Sequence, residues 1–216
     1  MTSELAAPDL GAPDPNATSR RPRPRLRRRV LVVAGLLVVV LVAALVWWST
    51  RPEVVPYDDA AATGSITLCD ASGHRVTEGS VDDRPFAAYA VGSTPLSDRV
   101  PADAPAYATL YGYQPRAEVD PLEFSGSPIG GPVLFTQSAR PATQVGADAW
   151  SLANFTEVFP AKDDGYVQLR LITSAEGVGA FTQAYDTADV RIDGNRWHLV
   201  RGGHASCAGV ADLVAR

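Results

Sequence analysis

This 216-residue chain holds only two cysteines, three histidines, one lysine and one methionine. Each scarcity removes a class of chemistry. Two cysteines make neither a dense disulfide scaffold nor a four-cysteine zinc site. The histidines, His74, His198 and His204, form no H-E-x-x-H pair, so a metallohydrolase lacks its ligand set. There is no G-x-S-x-G to make a nucleophile elbow, and no glycine-rich loop carrying Lys-Ser/Thr to cradle phosphate. The acid pairs Asp58-Asp59, Asp82-Asp83 and Asp163-Asp164 lack the alternating oxygen spacing of a calcium loop and read as solvated turns. No catalytic residue, metal ligand or cofactor is therefore expected.

Charge and apolar residues are unevenly distributed. Residues 1–29 carry seven arginines against three acids, a balance of +4, which leaves −9 for the rest of a chain whose formal charge is −5. The basic end adjoins Val30 to Trp48, VLVVAGLLVVVLVAALVWW, a run of nineteen residues without a charge. At about 1.5 Å per residue a helix of that length reaches about 28 Å, close to the hydrocarbon thickness of a bilayer. In lipid a single segment must satisfy its backbone internally, so the valine-rich composition does not argue against helix. The run is too long for the apolar core of a cleaved signal, and two bulky tryptophans follow it, which predicts an uncleaved signal-anchor.

Arg20, Arg21, Arg23, Arg25, Arg27, Arg28 and Arg29 place the N-terminus in the cytoplasm, and Trp47 and Trp48 fall at the opposite membrane interface. The arginines read as this orientation signal and not as a nucleic-acid contact. Four segments are expected: 1–29, a disordered cytoplasmic tail with an Arg-rich juxtamembrane end; 30–48, the transmembrane helix; 49–63, a proline-bearing stalk; and 64–216, an extracytoplasmic domain. The bilayer is the first expected partner, and the acidic outer part disfavours nucleic acid.

The outer domain reads as all-β. Val167, Leu169 and Leu171 alternate with Gln168 and Arg170. Val190–Asp193 and Arg196–Val200 flank Gly194-Asn195, a hairpin signal that turns Val190, Ile192, Trp197 and Leu199 inward and Arg191, Arg196 and His198 outward. Further β-rich runs lie at 65–69, 86–91, 107–113 and 132–136, separated by Gly and Pro turns. Many short strands predict two packed antiparallel sheets, an immunoglobulin-like β-sandwich. One short helix is expected between Asp148 and Phe159, capped by Asp148 or Ser151 and stopped at Pro160. Alternation puts Tyr107, Tyr111 and Tyr113 on one face, the candidate contact surface, with core packing as the competing assignment.

Cys69 and Cys207 lie near the two ends of this domain, where an extracytoplasmic setting favours a structural disulfide. A competing enzyme reading takes Cys207 as nucleophile beside His204, as in cell-wall transpeptidases. Those signatures differ: here His204-Ala205-Ser206 precedes the cysteine and Ala208-Gly209 follows it, while the Thr67-Leu68-Cys69 echo of sortases opens the domain instead of closing it. A third reading is an accessory subunit of a membrane complex, but the span shows no small-residue stripe for helix pairing.

The stretches Leu68-Cys-Asp70 with Gly73 and Val76, Pro85-Phe-Ala87, Tyr113-Gln-Pro115, Asp164-Gly-Tyr-Val-Gln-Leu-Arg-Leu171 and Asp189-Val-Arg-Ile192 before Trp197 are similar to uncharacterised actinobacterial single-pass membrane-anchored proteins with an extracytoplasmic β domain. The resemblance implies that architecture and transfers no catalytic residue. The expected function is non-enzymatic: recognition or scaffolding at the outer face of the cytoplasmic membrane, with an envelope protein or glycan as partner.

Overall fold

The computed structural model describes residues 39–44, 47, 53–96, 100–101, 104–136 and 140–214. The chain divides at Pro52 into a first unit, Met1–Pro52, and a second, Glu53–Arg216. In the first, residues 39–44 and 47 are helical, with the side chains of Val39–Val42 and Trp47 exposed. Among the described residues no helix is long and apolar enough to cross a membrane. The arginines 20–29, Trp48 and most of the expected 30–48 span lie outside the described residues.

The second unit is all-β with short helices. Its elements are β1 (Ala62–Cys69), β2 (Glu78–Ser80), β3 (Tyr89–Gly92), β4 (Ala106–Gln114), β5 (Ser125–Pro128), β6 (Val133–Phe135), β7 (Ala142–Gln144), α1 (Leu152–Val158), β8 (Tyr166–Ala175), β9 (Gly179–Ala180), β10 (Tyr185–Asp193), β11 (Arg196–Arg201) and α2 (Val210–Leu213). The strand path runs β5-β4-β8-β10-β1-β3-β7, with β11 between β10 and β2, β6 on β4 and β9 on β8.

Strand β1 serves two sheets. Its first half pairs parallel with β10, Ser65 opposite Thr187, and its second half pairs antiparallel with β3, Leu68 opposite Ala90. A register shift between Ala62 and Gly64 precedes the crossing, which falls between Ser65 and Ile66. Gly64 is required there: a Cβ would stand 1.9 Å from a carboxylate oxygen of Asp186.

The core follows from the two-residue period. Ala106, Ala108 and Leu110 of β4, Val167, Leu169 and Leu171 of β8, and Ala188 and Val190 of β10 line one face, and Trp197 and Phe155 close it. In the β10–β11 hairpin Val190 and Trp197 are buried and Ile192 and Leu199 pack against the core, the inward set expected from alternation. Gly194 supplies the positive φ of its turn, 59°. Helix α1 begins at Ser151, whose hydroxyl accepts from the Asn154 amide at 3.2 Å, and ends before Pro160. Gly112 lets its ring approach β4, because a Cβ there would lie 2.8 Å from Phe155.

A smaller cluster holds the disulfide between Cys69 and Cys207, whose Cα atoms are 5.7 Å apart, among Val91, Ala142, Val210 and Val214. The bond closes a loop of sequence separation 138, and on the chain-entropy model it stabilises the fold by about 5 kcal/mol.

Candidate functional site

The outer face of the main sheet is where sequence and structure diverge most. On β4 the core-facing residues leave Tyr107, Thr109, Tyr111 and Tyr113 pointing away from the core, so the three tyrosines do share a face and are not part of the apolar interior. Register places Tyr107 beside Leu134 and Ser174, Tyr111 beside Arg170 and Pro128, and Tyr113 beside Gln168 and Gly126. Tyr111 and Tyr113 stack with ring centroids 6.1 Å apart. All three are half-buried, and Leu134 beside Tyr107 is an exposed apolar side chain.

Beneath this ledge the polar face of β8 and β10 is buried. Gln168, Arg170, Thr187 and Asp189 are all almost inaccessible. Alternation alone made Gln168 and Arg170 the polar face, and burial of that face was not expected. The cover comes from Glu53–Ala61, most of the segment assigned to a stalk, and from the turn at Pro121–Glu123 with Phe124. A buried polar group must find partners or lose stability. Gln168, Arg170 and Asp189 find them, while Nη2 of Arg201, beside Asp189, is buried without a hydrogen-bond partner.

The Arg170 guanidinium lies 4.0 Å from the ring centroid of Tyr113 and 4.5 Å from that of Tyr185. It donates to the Pro121 carbonyl and the Gln168 side chain, each at 2.6 Å. Gln168 in turn donates to Asp59 at 3.0 Å, bridging an acid and a base whose closest charged atoms are 3.8 Å apart. Asp59 also accepts from the Tyr185 hydroxyl at 3.2 Å and from the Ala61 amide at 3.0 Å.

Two further anchors hold the same segment. The Tyr57 hydroxyl donates to Asp189, which accepts from Arg201 Nε at 2.6 Å, and the Tyr57 ring meets Phe124 edge-on at 5.3 Å. Glu53 accepts from Arg191 at 2.6 Å and from the Tyr166 hydroxyl at 3.0 Å, and lies 2.9 Å from His198 Nε2.

Charge states follow the burial. Desolvation pushes the Asp189 carboxyl upward against the pull of Arg201, and pushes the Tyr57 phenol upward as well. The Tyr166 phenol rises to about 12, through burial and its bond to Glu53. Burial works against the charge of Glu53, yet the bonds from His198, Arg191 and Tyr166 outweigh it and hold the carboxyl below its ordinary value.

Both cysteines are in the disulfide, and Cys207 is buried. His204 is engaged elsewhere, its Nδ1 2.7 Å from the Arg75 guanidinium. Among the described residues no group of three or more His, Cys, Asp or Glu side chains could hold a metal ion.

Comparison with protein-family models, with curated proteins and with solved structures finds no match to this chain. Its functional reading therefore rests on geometry. Sequence reasoning missed Glu53, Tyr57 and Asp59, since a segment rich in Pro, Asp and Ala reads as a spacer. Register sets Asp189 of β10 opposite Gln168 of β8, and Arg170 opposite Thr187, so the charges of these two polar rows do not pair with each other and take Arg201, Asp59 and Glu53 instead.

Proposed function

We propose that this chain is a non-enzymatic, single-pass protein of the cytoplasmic membrane, of the kind its sequence resembles in actinobacteria. Its N-terminus is cytoplasmic, and an immunoglobulin-like sandwich outside the membrane recognises or scaffolds an envelope protein or glycan. Support for the topology comes from the arginines 20–29 beside the apolar run 30–48. The division of β1 between two sheets supports the sandwich, since packed sheets turn corners in this way. The cysteine-nucleophile alternative needs a free thiol, and both sulfurs are bonded to each other.

The observation that carries the reading is the tyrosine ledge. Acids and bases below it are matched to one another, so what the face offers outward is the ring surface of Tyr107 and Tyr111 with Leu134. Tyrosines held on a strand give contact area at small entropic cost, and they suit a protein surface or the face of a sugar ring.

The test is photo-crosslinking in cells, with p-benzoylphenylalanine in place of Tyr107 or Tyr111 and, as control, in place of the exposed Glu78. The expected result is a discrete adduct from the two ledge positions that is lost when the other tyrosine is changed to Ser. Equal adducts from all three positions, or none from the ledge, would overturn the assignment of this face.

A further inference from the structure

The interior of the β-domain opens to solvent near the point where β1 changes sheets. Leu171 and Thr173 continue the core-facing row of β8 outward, and Asp186 continues that of β10, opposite Leu171. Together with Thr63, Thr94, Phe181 and Gln183 they line a groove of about 690 Å³. That volume is within the usual range for small-molecule sites.

The groove has an unusual charge. Among the described residues no Lys, Arg or His lines it, and its one carboxylic acid is Asp186, 3% exposed. Among the described residues the Asp186 carboxylate accepts from neutral groups, the Thr94 hydroxyl at 2.6 Å, the Thr94 amide at 3.1 Å and the Ser93 amide. Two glycines make room for it. A Cβ at Gly64 would stand 1.9 Å from one oxygen, and a Cβ at Gly92 would stand 2.1 Å from the other.

The other buried acids among the described residues have basic partners: Asp59 has Arg170 and Asp189 has Arg201. Among the described residues Asp186 has none. Burial works against its charge and pushes the carboxyl upward, and the neutral donors of Thr94 and Ser93 offset this only in part. What the described residues do not supply is a counter-charge, and a positive ligand supplies one.

We propose that this groove binds a small organic cation, an ammonium or guanidinium carried on an apolar or aromatic body, with Asp186 as counter-charge and the Phe181 ring packing against the body. This site is separate from the tyrosine ledge. Asp186 belongs to the core-facing row and the tyrosines to the opposite face of the sheet, so either reading can fail without the other.

The test is calorimetric titration of the full chain in non-ionic detergent with 2-phenylethylammonium and agmatine, and with 2-phenylethanol as the uncharged counterpart. The expected result is saturable binding of at least one cation, at least tenfold tighter than the alcohol. Asp186→Asn, which keeps an acceptor for Thr94, should weaken it at least tenfold. Gln183→Arg, on the exposed rim, places a competing positive charge in the groove and should abolish binding whether or not the Asp186 variant folds. Equal binding of amine and alcohol, binding unchanged in a folded Asp186→Asn or in Gln183→Arg, or no binding of either cation would overturn the proposal.

Discussion

Replacing Asp59 with Ala should be among the most damaging single changes on the surface-facing side of the sheet. Among the described residues Asp59 is the one acidic partner of Arg170, whose side chain is 3% exposed, and it accepts from Gln168, Tyr185 and the Ala61 amide. Removing one partner of a buried ion pair costs about 3–5 kcal/mol, because the other charge is left desolvated. Arg170 keeps its bonds to Gln168 and the Pro121 carbonyl and its place between two rings, which offsets part of the loss.

The expected cost is therefore at the lower end, about 3 kcal/mol, or a fall in melting temperature of about 6–12 °C for a domain of this size. Urea unfolding of the full chain in detergent micelles, followed by the β-sheet circular dichroism signal, measures it. Changing both partners, Asp59→Leu with Arg170→Leu, should recover most of the loss, since no charge is then stranded. A cost below about 1 kcal/mol for Asp59→Ala, or strict additivity in the double-mutant cycle, would refute the claim that this network fastens residues 53–61 to the sheet.

Other outcomes follow from the same structure. Changing both Cys69 and Cys207 to Ala should lower stability by about 5 kcal/mol and raise the urea m-value, because the uncrosslinked unfolded chain exposes more surface; an unchanged m-value would contradict this. The carboxyl of Glu53 is held below its ordinary value of 4.5, so its contribution is complete above that pH and is lost as pH falls through the lower folded value. The protection of the amides in residues 53–57, measured against their intrinsic exchange rates at each pH, should accordingly fall below about pH 4.5, an effect absent in Glu53→Gln. Global melting is the wrong readout for this, because Asp186 and Asp189, both pushed up by burial, titrate with the opposite sign. Phe155→Ala, which empties the space between α1 and Gly112, should cost about 3–5 kcal/mol by urea unfolding, and a cost under 1 kcal/mol would mean the helix is not fixed to the core by this ring.

How much of this was legible in the sequence depended on whether the signal was local. Hairpin β10–β11, helix α1 with its Ser151 cap, the long strands β4 and β8, and the core row Val167, Leu169 and Leu171 are written in nearest-neighbour periodicity and turn chemistry, and all are present. The disulfide was legible because only one pairing of two cysteines exists. The short strands β2, β5, β7 and β9 were not, since two to four residues such as Ser125–Pro128 carry no detectable period and are held by their partners.

The same limit applies to the site. Tyr107, Tyr111 and Tyr113 could be placed on one face from alternation within a single strand. The cage around Arg170 draws on residues as far apart in sequence as Asp59 and Tyr185. Period-two reasoning assigns the face of a side chain, and it says nothing about whether a distant segment will lie over that face.

The most direct test of the account is topological. Spheroplasts of cells expressing the full chain, tagged at either terminus, are treated with protease, and the tags are followed before and after lysis. The account predicts that the C-terminal tag is removed in intact spheroplasts, while the N-terminal tag survives until the membrane is broken. Loss of the N-terminal tag with survival of the C-terminal one, or release of the whole chain into the soluble fraction, would contradict it.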